Sequence, residues 1–428
     1  MVDHERVSDR PVAAKPTLRC RECRELAPGH GPQYCSWCFG PVEVVLPEVP
    51  GAPGESKTAI AAGPSSLARY RPLLPSELAL DDRAPGWTPL VAAPELGRAV
   101  GVPDLWIKDE TANPTGSFKD RVVELAVARG VQAGASGVAC TSTGNLARAA
   151  AAAAARRGLS SLVLVPEGLD EGSVTELAAL GALVVAVRGG YDATSRLGAE
   201  AAADLDRWAW VNVTLRPWYE LGARTTGWEI AEQLGWRLPD RVAVPVASGA
   251  LARALHESMT HLVETGLAEG VSPRLTAMQP AGCAPVAAAF AEGSTMVRPI
   301  ARPDTVAPSL AMGDPPDGPA VVAAARTTGG VVHTVDEDRI LAACALVEET
   351  TGVAVEPAGG VVVAGLVDLA TAGSVQPGEQ VVAVLTGSSH GDSSAVPGIG
   401  VVPRVGLAGT IDASVDALTD LLAQHHPT

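Results

Sequence analysis

The residue of this chain best placed for covalent chemistry is Lys119. It ends a loop of turn formers and small hydroxyl residues, Asn113, Pro114, Thr115, Gly116, Ser117 and Phe118. A helical pattern follows at once from Arg121 and stops at Gly130. Pro114 and Gly116 set the path of the loop, and Thr115 or Ser117 can cap the helix. The positive end of a helix favours an anion and disfavours an ammonium, which suits a lysine that must form an imine. Taken by itself, a lysine at a helix start is more often simply solvated. Two other turns could hold anions. Ser142, Thr143, Gly144 and Asn145 follow an apolar run and open a second helix, although an ordinary N-cap has the same composition. Ala247, Ser248, Gly249, Ala250 and Leu251 form a turn of small residues whose backbone N–H groups could cradle a phosphate. A tight packing turn would look the same, and without a GxGxxG pattern a dinucleotide is poorly supported.

A fourth group has the spacing of a metal site. Cys20-x2-Cys23 and Cys35-x2-Cys38 are separated by eleven residues. Two such knuckles read as a four-thiolate zinc ribbon, with reduced thiols or two disulfides as the alternatives. Four thiolates leave no open position, so the metal would be structural. Cys140, Cys283 and Cys344 sit in apolar or alanine-rich surroundings and read as core.

These groups need a frame to bring them together. The chain has 428 residues, 47% hydrophobic and 19% charged, enough for two or three globular units. Its net charge of −16 argues against nucleic acid as a partner. No apolar run approaches the roughly 20 residues of a membrane span, and the charged start is not a signal peptide. Those features together read as a cytoplasmic enzyme. Residues 1–16 read as a disordered leader, 17–48 as the ribbon and 49–85 as a linker with a packing segment. From residue 137 onward, short apolar runs alternate with alanine-rich helices. That βαβ repetition predicts parallel sheets with helices on both faces, in two doubly wound α/β subdomains. The division runs 86–125 plus 235–404 for the larger, 126–234 for the smaller, and 405–428 for a tail with one helix.

The string from Asn113 to Arg121 resembles the cofactor-lysine motif of threonine synthases, which are fold type II (tryptophan synthase β-like) enzymes that use pyridoxal 5'-phosphate (PLP). Cysteine synthases carry a looser version. The resemblance continues through Ser142-Thr143-Gly144-Asn145, Glu356-Pro357-Ala358-Gly359-Gly360 and Leu385-Thr386-Gly387, and so covers most of the chain. It implies that Lys119 holds PLP and serves as the catalytic base. Asn145 would bond the phenolic oxygen of the pyridine ring, Thr386 its nitrogen, and the 247–251 turn its phosphate. Ser142, Thr143 and Gly144 would grip the substrate carboxylate. The small-residue phosphate turn is also similar to that of cysteate synthases. A small amino-acid substrate and a homodimer are implied as well.

Two departures stand out. Arg224 occupies the place of a family lysine before Thr225, and is carried over as a substrate ligand. After the Thr-Gly pair the family's glycine–leucine–lysine run is replaced by Ser388, Ser389, His390, Gly391 and Asp392. His390 brings a charge that depends on pH where the family has a fixed one. The activity implied is conversion of O-phosphohomoserine and water to threonine and phosphate. The altered loop keeps open β-replacement or β-elimination on another phosphorylated or hydroxylated amino acid, as in cysteate synthase or a dehydratase. A degenerate PLP-binding or zinc-mediated interaction protein is the reading from another class. Retention of Lys119, Asn145 and Thr386 together argues against it.

Overall fold

The computed structural model describes residues 17–28, 34–389 and 407–425. Three sheets organise it. The first is the small antiparallel sheet of the ribbon, with strands β1 (Thr17–Cys20), β2 (Leu26–Pro28) and β3 (Val42–Val44) in the order β2-β1-β3. The second has six strands. In chain order these are β4 (Leu90–Ala92), β5 (Leu105–Asp109), β10 (Arg241–Pro245), β11 (Arg274–Pro280), β12 (Val331–Val335) and β13 (Val381–Leu385). The third has five: β6 (Gly137–Thr141), β7 (Ser160–Pro166), β8 (Ala182–Val187), β9 (Trp208–Trp210) and β14 (Leu407–Ile411).

The six-stranded sheet runs β12-β11-β10-β13-β5-β4 and is parallel apart from the edge strand β4. The five-stranded sheet runs β14-β8-β7-β6-β9 and is wholly parallel. Parallel strands covered on both faces should read as continuous apolar runs. Val381–Leu385 and Ala182–Val187 do so, with every residue buried. The helix Asn145–Arg156 packs through a run of buried alanines, Ala149 to Ala154.

Three features differ from the sequence reading. The tail adds a strand, β14, to the smaller sheet before its helix Val415–His425, because Leu407–Ile411 pairs in parallel with β8. The stretch read as linker contains a helix, Pro53–Ala61, started by a proline at its first position. The sequence suggests a helix over Gly227–Leu234, but the helix there begins eleven residues earlier, at Arg216, and runs to Gln233. Residues 1–16 lie outside the described residues.

Candidate active site

Chain order and spatial order differ in a way that defines one crevice. β13, late in the chain, is inserted between β10 and β5. The lysine loop follows β5, the 247–251 turn follows β10, and Thr386 follows β13. Three of the anion- or cofactor-suited segments thus leave the carboxyl ends of three neighbouring strands, where open α/β sheets bind ligands. The fourth, Ser142 to Asn145, leaves the carboxyl end of β6 in the other sheet.

Backbone bonds zip the segments together. Phe118 N donates to Thr386 O at 3.0 Å, Ser388 N to Gly116 O at 2.9 Å, and Glu356 N to Gly387 O at 2.9 Å. Lys119 opens the helix Lys119–Gln132. Its Nζ lies 2.6 Å from Tyr219 Oη and 4.5 Å from the centre of the Phe118 ring. Asn145 Nδ2 donates to Glu356 Oε2 at 3.0 Å, and Arg148 donates to Asn145 Oδ1. Glu356 starts the helix Pro357–Thr371, so Asn145 joins the smaller sheet's helix to the larger sheet's. Burial pushes the Glu356 carboxyl above its ordinary range, and the hydrogen bond from Asn145 with the charges of Arg148 and Lys119 opposes that. A Cβ on Gly387 would meet the Glu356 carboxylate, so a larger residue there would displace that side chain from its bond with Asn145.

The lysine loop is anchored from beneath by a charge network. Arg121, fully buried, binds Glu110 through Nε at 2.6 Å and Glu229 through Nη1 at 2.5 Å. Lys108 Nζ binds Glu229 Oε2 at 2.8 Å. Asn113 Nδ2 reaches Glu110 Oε2 at 2.8 Å, tying in the start of the loop. Burial alone would push the Glu229 carboxyl up, but Arg121 and Lys108 overcome it and hold it at about 2. Asp120, beside the lysine, takes bonds from Thr115 N and Oγ1 at 2.7 and 2.9 Å. Its burial still raises its carboxyl to about 6.

The residues present fit a pyridoxal phosphate. Thr386 is buried at the carboxyl end of β13, where its carbonyl accepts from Phe118 N in the lysine loop, so its hydroxyl is placed to meet a ring nitrogen. Gly249 has φ +89°, a left-handed conformation that turns the chain into the helix Ala250–Glu264, whose first N–H groups face the turn. Open space surrounds Gly144, and Gly144 N donates to Ser142 Oγ at 3.4 Å. One predicted residue falls elsewhere. The Arg224 guanidinium is held by Glu43 of the ribbon at 3.2 Å and Glu257 at 2.6 Å, so it anchors the ribbon instead of joining the group around Lys119. His390 lies outside the described residues. Tyr219 and Glu356 were not singled out individually as candidate site residues. Glu356 had a signal, a carboxylate immediately before a helix-starting proline, whereas Tyr219 faces Lys119 across 100 residues of chain.

The four knuckle cysteines also converge. Their sulfurs lie within 4.8 Å of one another, with Cys20–Cys38 at 3.4 Å and Cys23–Cys35 at 3.6 Å. Four thiolates around one zinc would be about 3.8 Å apart, given zinc–sulfur bonds of about 2.3 Å. Trp37 N and Gly40 N each point at a cysteine sulfur, at 3.4 Å. Cys140 and Cys283 are buried, as expected of core thiols.

Comparison with known proteins agrees with this geometry. The profile of the family described as "pyridoxal-phosphate dependent enzyme" matches residues 82–387. The chain belongs to that family, and its catalytic class is that of the PLP-dependent lyases. Within the family it is threonine-synthase-like. It is 31% identical to a threonine synthase of Methanosarcina acetivorans over 407 residues, covering 95% of this chain and 98% of that one. To a threonine synthase of Mycobacterium leprae it is 33% identical over 360 residues, covering 82% and 96%. Among solved structures, maize serine racemase superposes with a TM-score of 0.61 at 20% identity, over 77% of this chain and 96% of that one. Threonine deaminase isoform 2 of Solanum lycopersicum gives 0.61 at 20% identity, over 86% and 96%. These two likenesses concern the fold.

Proposed function

We propose that the protein converts O-phosphohomoserine and water to threonine and phosphate. The observation that supports this most is the joining of Lys119, Thr386 and Asn145 in one crevice by bonds between segments more than 200 residues apart. Lys119 is the residue that holds the cofactor. Asn145 and Thr386 flank the ring, and the turn of Ala247, Ser248, Gly249, Ala250 and Leu251 takes the phosphate. Bound there, PLP supplies an electron sink for bonds broken at the substrate's α carbon. A hydroxyl at the ring nitrogen makes that sink milder than a carboxylate would. Ser142, Thr143 and Gly144 hold the substrate carboxylate at a helix N-terminus. Lys119 Nζ takes the α proton and returns protons further along the chain. The phenol of Tyr219 keeps that nitrogen in place between transfers.

The four cysteines hold one structural zinc. The enzyme works in the cytoplasm as a homodimer, built from subdomains 86–125 plus 235–404 and 126–234. Among the described residues no helix is long and apolar enough to cross a membrane.

The replaced loop after Gly387 supports a second reading, a β-replacement or β-elimination on a related phosphorylated or hydroxylated amino acid. A panel of phospho-amino acids, assayed for phosphate release and amino-acid product, separates the two. Threonine from O-phosphohomoserine as the most efficient reaction is expected. Efficient turnover of phosphoserine with none of O-phosphohomoserine would replace the first reading by the second.

A further inference from the structure

The ribbon touches the rest of the molecule at a place that concerns the cofactor. Asp317 is 2% exposed and lies directly against the 247–251 turn. Its N–H donates to Ser248 O at 2.9 Å, and a Cβ on Gly249 would lie 2.9 Å from the Asp317 Cβ. Three arginines surround its carboxylate. Arg253 Nε lies 3.0 Å from Oδ1 and Arg216 Nη2 lies 3.0 Å from Oδ2. Each belongs to a helix at the site. Arg253 is in the first turn after Gly249, and Arg216 stands 5.5 Å over the ring of Tyr219, the partner of Lys119. The third is Arg21, whose Nη1 donates to Asp317 Oδ1 at 2.7 Å across 296 residues of chain.

Arg21 is the residue between Cys20 and Glu22 in the first knuckle. Its backbone N–H is fixed on Pro41 O at 2.9 Å, and Cys20 beside it is fully buried. The knuckle therefore aims the guanidinium. Arg216 and Arg253 are both shared with Glu220, and Arg253 also with Glu257. Arg21 has no other carboxylate among its ion pairs in the described residues.

We propose that Arg21 is a positioning residue for the cofactor phosphate. Through Asp317, the four-cysteine ribbon clamps the 247–251 turn in the conformation that presents its N–H groups. This rests on the reading of that turn as the phosphate site. Loss of one charge-assisted hydrogen bond beneath the turn should weaken phosphate binding about tenfold. It should leave contacts to the pyridine ring intact. The ribbon's metal then governs cofactor affinity by keeping the knuckle rigid.

The test uses the full chain freed of PLP, titrated with PLP and separately with pyridoxal, which lacks the phosphate. Arg21→Gln should bind PLP about tenfold more weakly, the scale of one such bond, with pyridoxal unchanged. Arg21→Lys, which keeps a charge at the knuckle, should recover most of the difference. Chelation of zinc should reproduce the loss in the native sequence and add nothing in Arg21→Gln. An unchanged PLP dissociation constant in folded Arg21→Gln overturns the clamp. Equal weakening of PLP and pyridoxal also overturns it, since that is general loosening. If the native chain binds PLP no more tightly than pyridoxal, the phosphate-site reading itself is overturned, and the clamp with it.

Discussion

Glu229→Gln tests whether the lysine loop owes its position to the buried charges beneath it. Glu229 accepts from Arg121 Nη1 and Nη2, Lys108 Nζ, and the backbone N–H groups of Trp87 and Thr88, at 2.5, 2.7, 2.8, 2.7 and 3.2 Å. Glutamine keeps the shape but loses the charge, and its NH2 must face donors. Holding the carboxyl at about 2 instead of 4.5 corresponds to about 3 kcal/mol of stability at neutral pH. Removing one partner of a buried ion pair costs about 3–5 kcal/mol, which agrees. The sign follows from a depressed carboxyl. Its contribution is full above its unfolded value and is lost as pH falls from there towards about 2. Urea unfolding of the PLP-saturated proteins at neutral pH should therefore show Glu229→Gln less stable by about 3–5 kcal/mol. The variant should also lose part of the native protein's acid sensitivity. A loss below about 1 kcal/mol, the scale of an exposed pair, would refute the anchor. The deficit should shrink when Lys108→Met is added, because Lys108 is the cation left without a carboxylate, whereas Arg121 keeps Glu110.

Three other outcomes are expected. Asp120→Asn should remove a pH slope: burial raises this carboxyl to about 6, so it stabilises the native state at low pH and that contribution fades as pH rises through about 6. Unfolding midpoints across that range that stay parallel in the native and variant proteins would contradict it. Cys35→Ser should lose the metal and loosen residues 17–48 while the PLP spectrum persists at saturating cofactor; metal analysis should find about one zinc per native chain. Four thiols freely alkylated in the native protein would rule the site out. Tyr219→Phe should lower kcat about tenfold, the effect of one hydrogen bond, with the substrate's KM little changed and the kcat–pH profile shifted. An unaltered profile would leave Tyr219 a packing residue only.

Much of the candidate site is local in sequence, and that part was legible as a candidate. Lys119, the Ser142–Asn145 turn, the 247–251 turn and the four cysteines each carry their signal within a few residues, through turn formers, caps and spacing. The parallel sheets were legible because strands such as Val381–Leu385 are continuously apolar. Partners brought in by packing were not. Tyr219 meets Lys119 because the helix from Arg216 packs across the helix from Lys119, and no local pattern records that crossing. Arg224 lies five residues, about 1.4 turns, further along the same helix from Tyr219, which carries its side chain to the ribbon; motif position alone placed it with the substrate. β14 escaped notice because an edge strand with Gly409 and Thr410 lacks the apolar continuity of its neighbours.

Borohydride reduction of the PLP-loaded protein, followed by peptide mapping, decides whether Lys119 carries the cofactor. The pyridoxyl group should be found on Lys119, and Lys119→Ala should take up none while remaining folded. Label on Lys108, or on no lysine at all, would contradict the assignment and the chemistry built on it.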